Sequence, residues 1–319
     1  MSINPQFSQR VCTRTLYSAG VIIWAALGFA LVSAVGLAAG AAVQHSGVTT
    51  SHDSERFGIR SFFQLFKSGR WLLGTAIMVI AVTAGVLSLA LAPVMVVQPV
   101  GAISLAVSVL IARFARGLVF KRRVYTSVLL CVAGVAGFVG VSSLFAVSRV
   151  RFGAEALPMV WVSAALLTIT VVGRLVQRRP HQLFNVISAA ILFACVATNT
   201  HICASQFLAG GLPAVTWSNL LCVAACGGIG SWFVQAGYAS GPPEIVIAGL
   251  TVIDPIVAVI LGVVVLDEAA AAPLWVPVIM VAAGLVACLG VIVLARFHPD
   301  VLERRERDES TQSPTSQRA

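Results

Sequence analysis

Nine stretches of mostly apolar residues, each about as long as a bilayer is thick, run through this chain and limit its fold more than any other feature. They are Val21–Gln44, Trp71–Ala92, Val94–Ala115, Val124–Ser148, Leu157–Gly173, Leu183–Ser205, Thr216–Ala239, Pro243–Leu266 and Leu274–Ala295. A helix of about 20 apolar residues crosses a bilayer with every backbone group satisfied internally, so the reading is an all-α polytopic membrane protein. Composition agrees: 58% of the residues are hydrophobic and 10% charged, too few charges to clothe a soluble domain of 319 residues. The second and third stretches run together and are divided at Pro93. The first is too long for the apolar core of a signal peptide and is read as a retained helix.

The net charge of +9 resembles that of a nucleic-acid binder until the charges are placed. Lys and Arg fall in the connections between apolar stretches, where they orient a membrane protein, so no nucleic-acid partner is expected. With nine spans, 17 of the 21 basic residues lie on one side, in 44–70, 113–123, 174–180 and from Arg296 to the C-terminus. The positive-inside rule makes that side cytoplasmic, with the N-terminus out and the C-terminus in. An eight- or ten-helix count scrambles the asymmetry. Only two of those 21 are lysines, which with abundant Ala, Val and Gly suggests a GC-rich bacterial gene and hence a plasma (inner) membrane location.

The chain divides into an outer tail over 1–20, a first transmembrane repeat over 21–148, a linking helix over 157–173, a second repeat over 183–297 and a disordered cytoplasmic tail over 298–319. Residues 56–70 are read either as an interfacial helix, with Ile59, Phe62, Phe63 and Phe66 on one face, or as a partly ordered loop. Six of the seven cysteines lie in apolar stretches without disulfide or zinc spacing and are read as packing residues.

The two repeats share a plan. Pro93 and Pro243 each open a span after a tight turn, and each span is interrupted further on, at Gln98–Ser104 and at Thr251–Asp254. In this alignment Pro99 meets Gly249 and Ser104 meets Asp254, in spans of opposite orientation, as in inverted repeats. Interrupted spans at matching places in two halves point to a transporter's binding site. Irregular backbone at membrane depth persists where it is buried in protein or lines a wet cavity. The candidate substrate- or ion-binding residues are therefore Asp254, Gln98, Pro99, Ser104, Thr251 and Pro255. Asp254 is the one carboxylate well inside a span, a position that costs about 2.5–3.5 kcal/mol on insertion scales and marks an ion path or relay by default. It also fits a helix N-cap followed by proline, and the two readings are compatible. Thr198, Asn199, Thr200, His201, Gln235 and Tyr238 are read as interhelical hydrogen-bonding residues. Gly36 with Gly40, and Gly134 with Gly137, form small-residue packing ridges; Gly101, Ser104, Ser108 and Ala112 form another that also suits a cavity wall.

These stretches, APVMVVQPVGAISLAVSVLIARF in the first half and YASGPPEIVIAGLTVIDPIVAVILGVVVLDE in the second, resemble the drug/metabolite transporter (EamA-like) superfamily. The second resembles that superfamily's small-residue turn and Pro-broken helix ending in an acidic residue, here Asp267-Glu268. The likeness spans Trp24 to Phe297, and the nine-helix layout is most similar to the NIPA-type magnesium transporter branch. The chain departs from the pattern at Gly117-Leu118, where a Lys-Glu-like pair is usual, and at Gly249, where proline is usual.

Three functions follow as expectations. The first is a secondary transporter of a small organic solute, proton-coupled through Asp254; the second a magnesium transporter. The third is a lipid or glycolipid flippase, or a non-transporting membrane partner in an envelope pathway. The expected partners are a small-molecule or ion substrate and the lipid bilayer, with a homodimer left open. No paired carboxylates, activated nucleophile or phosphate loop appear, so neither an enzyme nor a cofactor or metal site is expected.

Overall fold

The computed structural model describes residues 22–44, 69–116, 122–147, 149–177, 181–241, 243–270 and 272–296. Among these residues nine helical segments are long and apolar enough to cross a membrane. We number the helices α1 (Ile22–Gln44), α2 (Gly69–Leu91), α3 (Val94–Val97), α4 (Ile103–Arg116), α5 (Arg122–Phe145), α6 (Leu157–Val176), α7 (Gln182–Gly210), α8 (Trp217–Ser240), α9 (Pro243–Val264) and α10 (Trp275–Ala295). The third span is α3, a 3₁₀ segment at Gln98–Ala102, and α4. Every expected span is present, with bounds shifted by five residues or fewer. The interfacial segment 56–68 and the two tails lie outside the described residues.

Small residues set the close contacts, because lipid gives helices little hydrophobic reason to associate and backbone approach must supply the attraction. In α1 the buried residues Ala26, Ala30, Ala34 and Ala38 repeat every fourth position and form one stripe. Gly36 of α1 meets Ala81 of α2, Gly40 meets Met78, and Ser88 Oγ donates to the Ala26 carbonyl at 2.7 Å. The tightest seam joins α5 to α10. A Cβ at Gly134 would collide with the Ala287 backbone, and one at Gly290 would stand 2.5 Å from the Cys131 nitrogen. Gly36, Gly40 and Gly134 thus pack as expected. The ridge on the third span does not: nothing lies within 4 Å of a Cβ at Gly101, and Ser104 and Ser108 bond back to their own backbone.

The central helix is α7, where Asn185, Ser188, Thr198, Asn199, His201, Ser205 and Gln206 are all buried. With 29 residues it runs about 43 Å at ~1.5 Å per residue, more than the ~30 Å hydrocarbon core needs. It stops at Gly211, whose φ of 71° suits glycine, with Pro213 following. The linking helix α6 packs on α7 and α8: Asn199 Nδ2 donates to Ser163 Oγ at 2.8 Å, and Asn219 Nδ2 to Asn199 Oδ1 at 2.8 Å. The side chains of Leu129, Leu175, Val79 and Val278 are exposed, as a lipid-facing surface requires.

The eighth span corrects one expectation. The helix α9 continues unbroken from Pro243 to Val264 with Pro255 inside it, so the expected interruption at Thr251–Asp254 is absent and Asp254 is a mid-helix residue, not an N-cap.

Candidate functional site

Four connections meet at one end of the bundle: the Ala92-Pro93 turn, residues 146–156, residues 211–216 and the turn after α9. Their meeting is fixed by hydrogen bonds. The Val147 amide donates to the Glu268 carbonyl at 2.8 Å, and Gln206 Nε2 to the Arg151 carbonyl at 2.6 Å and to Thr216 Oγ1 at 2.9 Å. The Thr216 amide returns a bond to Gln206 Oε1 at 2.8 Å. These are alternate connections along the chain, as expected for spans that cross in alternating directions. In the topology read from the charges this is the outer end.

The turn after α9 brings Glu268 inward. Asp267 takes a φ of 55°, a left-handed conformation that Asp tolerates better than most residues, and the Glu268 amide loops back to the Gly262 carbonyl at 3.1 Å. The carboxylate of Glu268, 1% exposed, then receives two amides of the third span: Val94 N–H on Oε1 and Met95 N–H on Oε2, both at 2.8 Å. The first amides of a helix lack partners within it, and here a side chain from the other half of the chain supplies them. Gly262 makes the room, since a Cβ there would stand 2.5 Å from Oε2.

Two cationic or titratable groups complete this cluster. His201 of α7 places Nε2 4.0 Å from Glu268 Oε1, and its Nδ1 lies 2.5 Å from the Leu89 carbonyl oxygen. A carbonyl accepts only, so Nδ1 carries a proton; in the neutral ring Nε2 is then the acceptor, and the Ala92 carbonyl also lies at the ring. Arg151 donates to the Leu266 carbonyl at 2.6 Å and adds positive charge near Glu268. Burial pushes the Glu268 carboxyl up to about 7, against the Met95 and Val94 amides and Arg151, which pull it down.

Below this cluster lies a cavity of about 470 Å³ between the third span, α5, α9 and α10. Its walls are aliphatic and aromatic, with Met95, Phe138, Val259, Met280 and Val291 among them, and carry no charged side chain. Thr251 is their one hydroxyl. Ile256 and Ile260 from α9, and Val281 and Leu285 from α10, are also exposed on the protein's surface, so the cavity opens sideways between these two helices. Met95 lines it and donates its own amide to Glu268, and Ala269 beside Glu268 lines it too, so cavity and cluster share a wall.

Of the residues singled out from sequence, Pro99, Thr251 and Pro255 line the cavity, and Gln98, Ser104 and Asp254 do not. Ser104 Oγ donates to the Gly101 carbonyl at 2.7 Å. Asp254 has a buried Oδ1 with no hydrogen-bond partner among the described residues. Pro255 has no amide for the Thr251 carbonyl, whose usual i→i+4 bond is therefore missing, and Thr251 Oγ1 bonds the Ile247 carbonyl at 2.7 Å. Glu268, Arg151 and Gln206 were not marked by sequence reasoning as site residues; the clue was Gly262, five residues before an acidic pair at a span's end. Among the described residues no three His, Cys, Asp or Glu side chains group as a metal site.

Comparison with known proteins gives no match to any family model, curated protein or solved structure.

Proposed function

We propose that this chain is a transporter whose cargo has a substantial apolar part, an amphipathic metabolite or a lipid-like molecule, taken up from the bilayer between α9 and α10. The observation that carries the reading is the cavity: about 470 Å³, lined almost wholly by apolar side chains, and open between α9 and α10 on the lipid-facing side. Sites of this size bury most of a small ligand, and their polar groups set orientation. Here the hydroxyl of Thr251 and the backbone freed by Pro255 are the polar features, matching a cargo with one small polar group. Contacts between the third and eighth spans, and between the fourth and ninth, join corresponding members of the two halves, in keeping with the repeat. The resemblance to the drug/metabolite transporter superfamily points the same way.

The walls suit a small polar solute less well. They suit magnesium least, since it holds its water and favours oxygen ligands. The test is reconstitution of the full chain in phosphatidylcholine vesicles, with translocation of a short-chain fluorescent phospholipid and of an amphipathic cationic dye measured beside a hydrophilic solute. Translocation of either apolar probe, abolished when Gly284→Leu fills the cavity, is expected. Transport confined to the hydrophilic solute or to magnesium overturns the reading. No flux of any probe, with a second protein copurifying, makes the chain a membrane partner instead.

A further inference from the structure

We propose that Glu268 and His201 together bind one exchangeable proton, and that its arrival loosens the hold of Glu268 on the start of the third span. The geometry sets two proton acceptors face to face. His201 spends its Nδ1 proton on the Leu89 carbonyl, which leaves the Nε2 lone pair 4.0 Å from Glu268 Oε1. Two lone pairs in a buried site repel, and one proton between them turns that repulsion into attraction, which becomes a hydrogen bond as the pair closes from 4.0 Å.

The proton changes what Glu268 can hold. As a carboxylate it accepts the Val94 amide on Oε1 and the Met95 amide on Oε2, each at 2.8 Å. Once Oε1 carries hydrogen directed at Nε2, it is a poorer acceptor for Val94, and Met95 keeps the remaining carbonyl oxygen. Charge-assisted bonds are about twice as strong as neutral ones, so both amides are held less firmly. Because Met95 also lines the cavity, the change reaches a wall of the proposed cargo site. That last link rests on the transporter reading, whereas the proton site does not.

Among the described residues, the groups about this pair are few, and the Ala92 carbonyl stands beside the His201 ring. The third span offers only amides, α9 offers Gly262, and α7 offers His201. The 146–156 connection brings Arg151, whose guanidinium is engaged on the Leu266 carbonyl. The adjacent Asp267 is exposed. Exchange near neutral pH agrees with the carboxyl being pushed up to about 7 by burial. This moves the proton from Asp254, where the sequence placed it, to a pair that joins the two halves.

Infrared titration of the purified full chain from about pH 5 to about pH 9 tests the site directly. A protonated-carboxyl band is expected to appear on acidification with a midpoint near neutrality. It should vanish in Glu268→Gln, persist in Asp254→Asn and shift its midpoint downwards in His201→Gln. A band that survives Glu268→Gln, or is lost in Asp254→Asn, overturns the assignment. So does a midpoint that His201→Gln leaves unmoved, which decides the matter even if Glu268→Gln fails to fold. For the loosening, hydrogen exchange over 92–97, corrected for the intrinsic pH dependence, is expected to be faster below neutrality in the wild type. Exchange that pH does not alter sinks that half of the proposal. A titrating band without apolar cargo binding in the same sample keeps the proton site and rejects the transporter reading, and the reverse result separates them the other way.

Discussion

The third and eighth spans begin alike and end differently. Each opens on a proline, Pro93 or Pro243, and each carries a second proline, yet one span breaks and the other continues. In the third, Pro99 and Gly101 fall two residues apart, and the chain tightens into a 3₁₀ segment at Gln98–Ala102. Its partners lie outside the span: Glu268 takes the first amides, and the Cys131 thiol reaches the Ala102 carbonyl at 3.8 Å. In the eighth, Gly249 and Pro255 are six apart, with β-branched residues between them, and Gly249 lies close against Val186 of the buried α7. One missing amide does not end a helix that a neighbour already holds. A proline in a span therefore predicts a place of altered backbone, and the surroundings decide whether the helix yields.

If the third span depends on Glu268, removing the carboxylate should do the most damage. Glu268→Ala leaves the Val94 and Met95 amides buried without partners, at about 1–3 kcal/mol for each such group. A clear fall in melting temperature, by about 3 kcal/mol in stability, is expected, and an unchanged melting curve would show the span to be self-supporting. Gly262→Ala pushes the same carboxylate aside without deleting it, and a loss of about 1–2 kcal/mol is expected from the same melts.

The pH dependence follows from the raised carboxyl. The folded protein binds the Glu268 proton more tightly than the unfolded chain does, from an ordinary value of 4.5 to about 7. Stability from this group is fully present below about 4.5 and is lost as pH rises through about 7. Wild-type protein should therefore melt at a higher temperature at pH 5 than at pH 8, with this difference reduced in Glu268→Gln. The eighth span gives the smallest effect. Asp254→Asn removes a charge whose Oδ1 has no partner among the described residues, so stability should rise by about 1 kcal/mol or less, and pH-dependent transport should persist. Loss of that dependence would return the proton to Asp254.

The nine spans were legible because apolar length is a one-dimensional property, and their bounds fall within a few residues of the expected ones. The interruption at Gln98-Pro99 was legible for a local reason, the missing amide. The N-cap reading of Asp254 failed because Asp-Pro chemistry is indifferent to whether a helix already precedes it. The Glu268 contact was illegible: it joins residues 174 positions apart, and sequence shows only an acidic pair at the end of a span. His201 was read as an interhelical hydrogen-bonding residue, and its bond to Leu89 of α2 agrees. What no spacing could reveal is that the other ring nitrogen faces a carboxylate.

The seam between α5 and α10 carries one more consequence. At Gly134 and Gly290 the facing backbones leave no space for a Cβ, so every substitution there separates the two helices. Val259 and Met280, by contrast, line the cavity, where a change of side chain has open space to take up. Random variation should thus be lethal along the seam and permitted along the wall. If the cavity holds cargo as proposed, a library of variants would drift in the molecules it accepts long before it lost the frame around them.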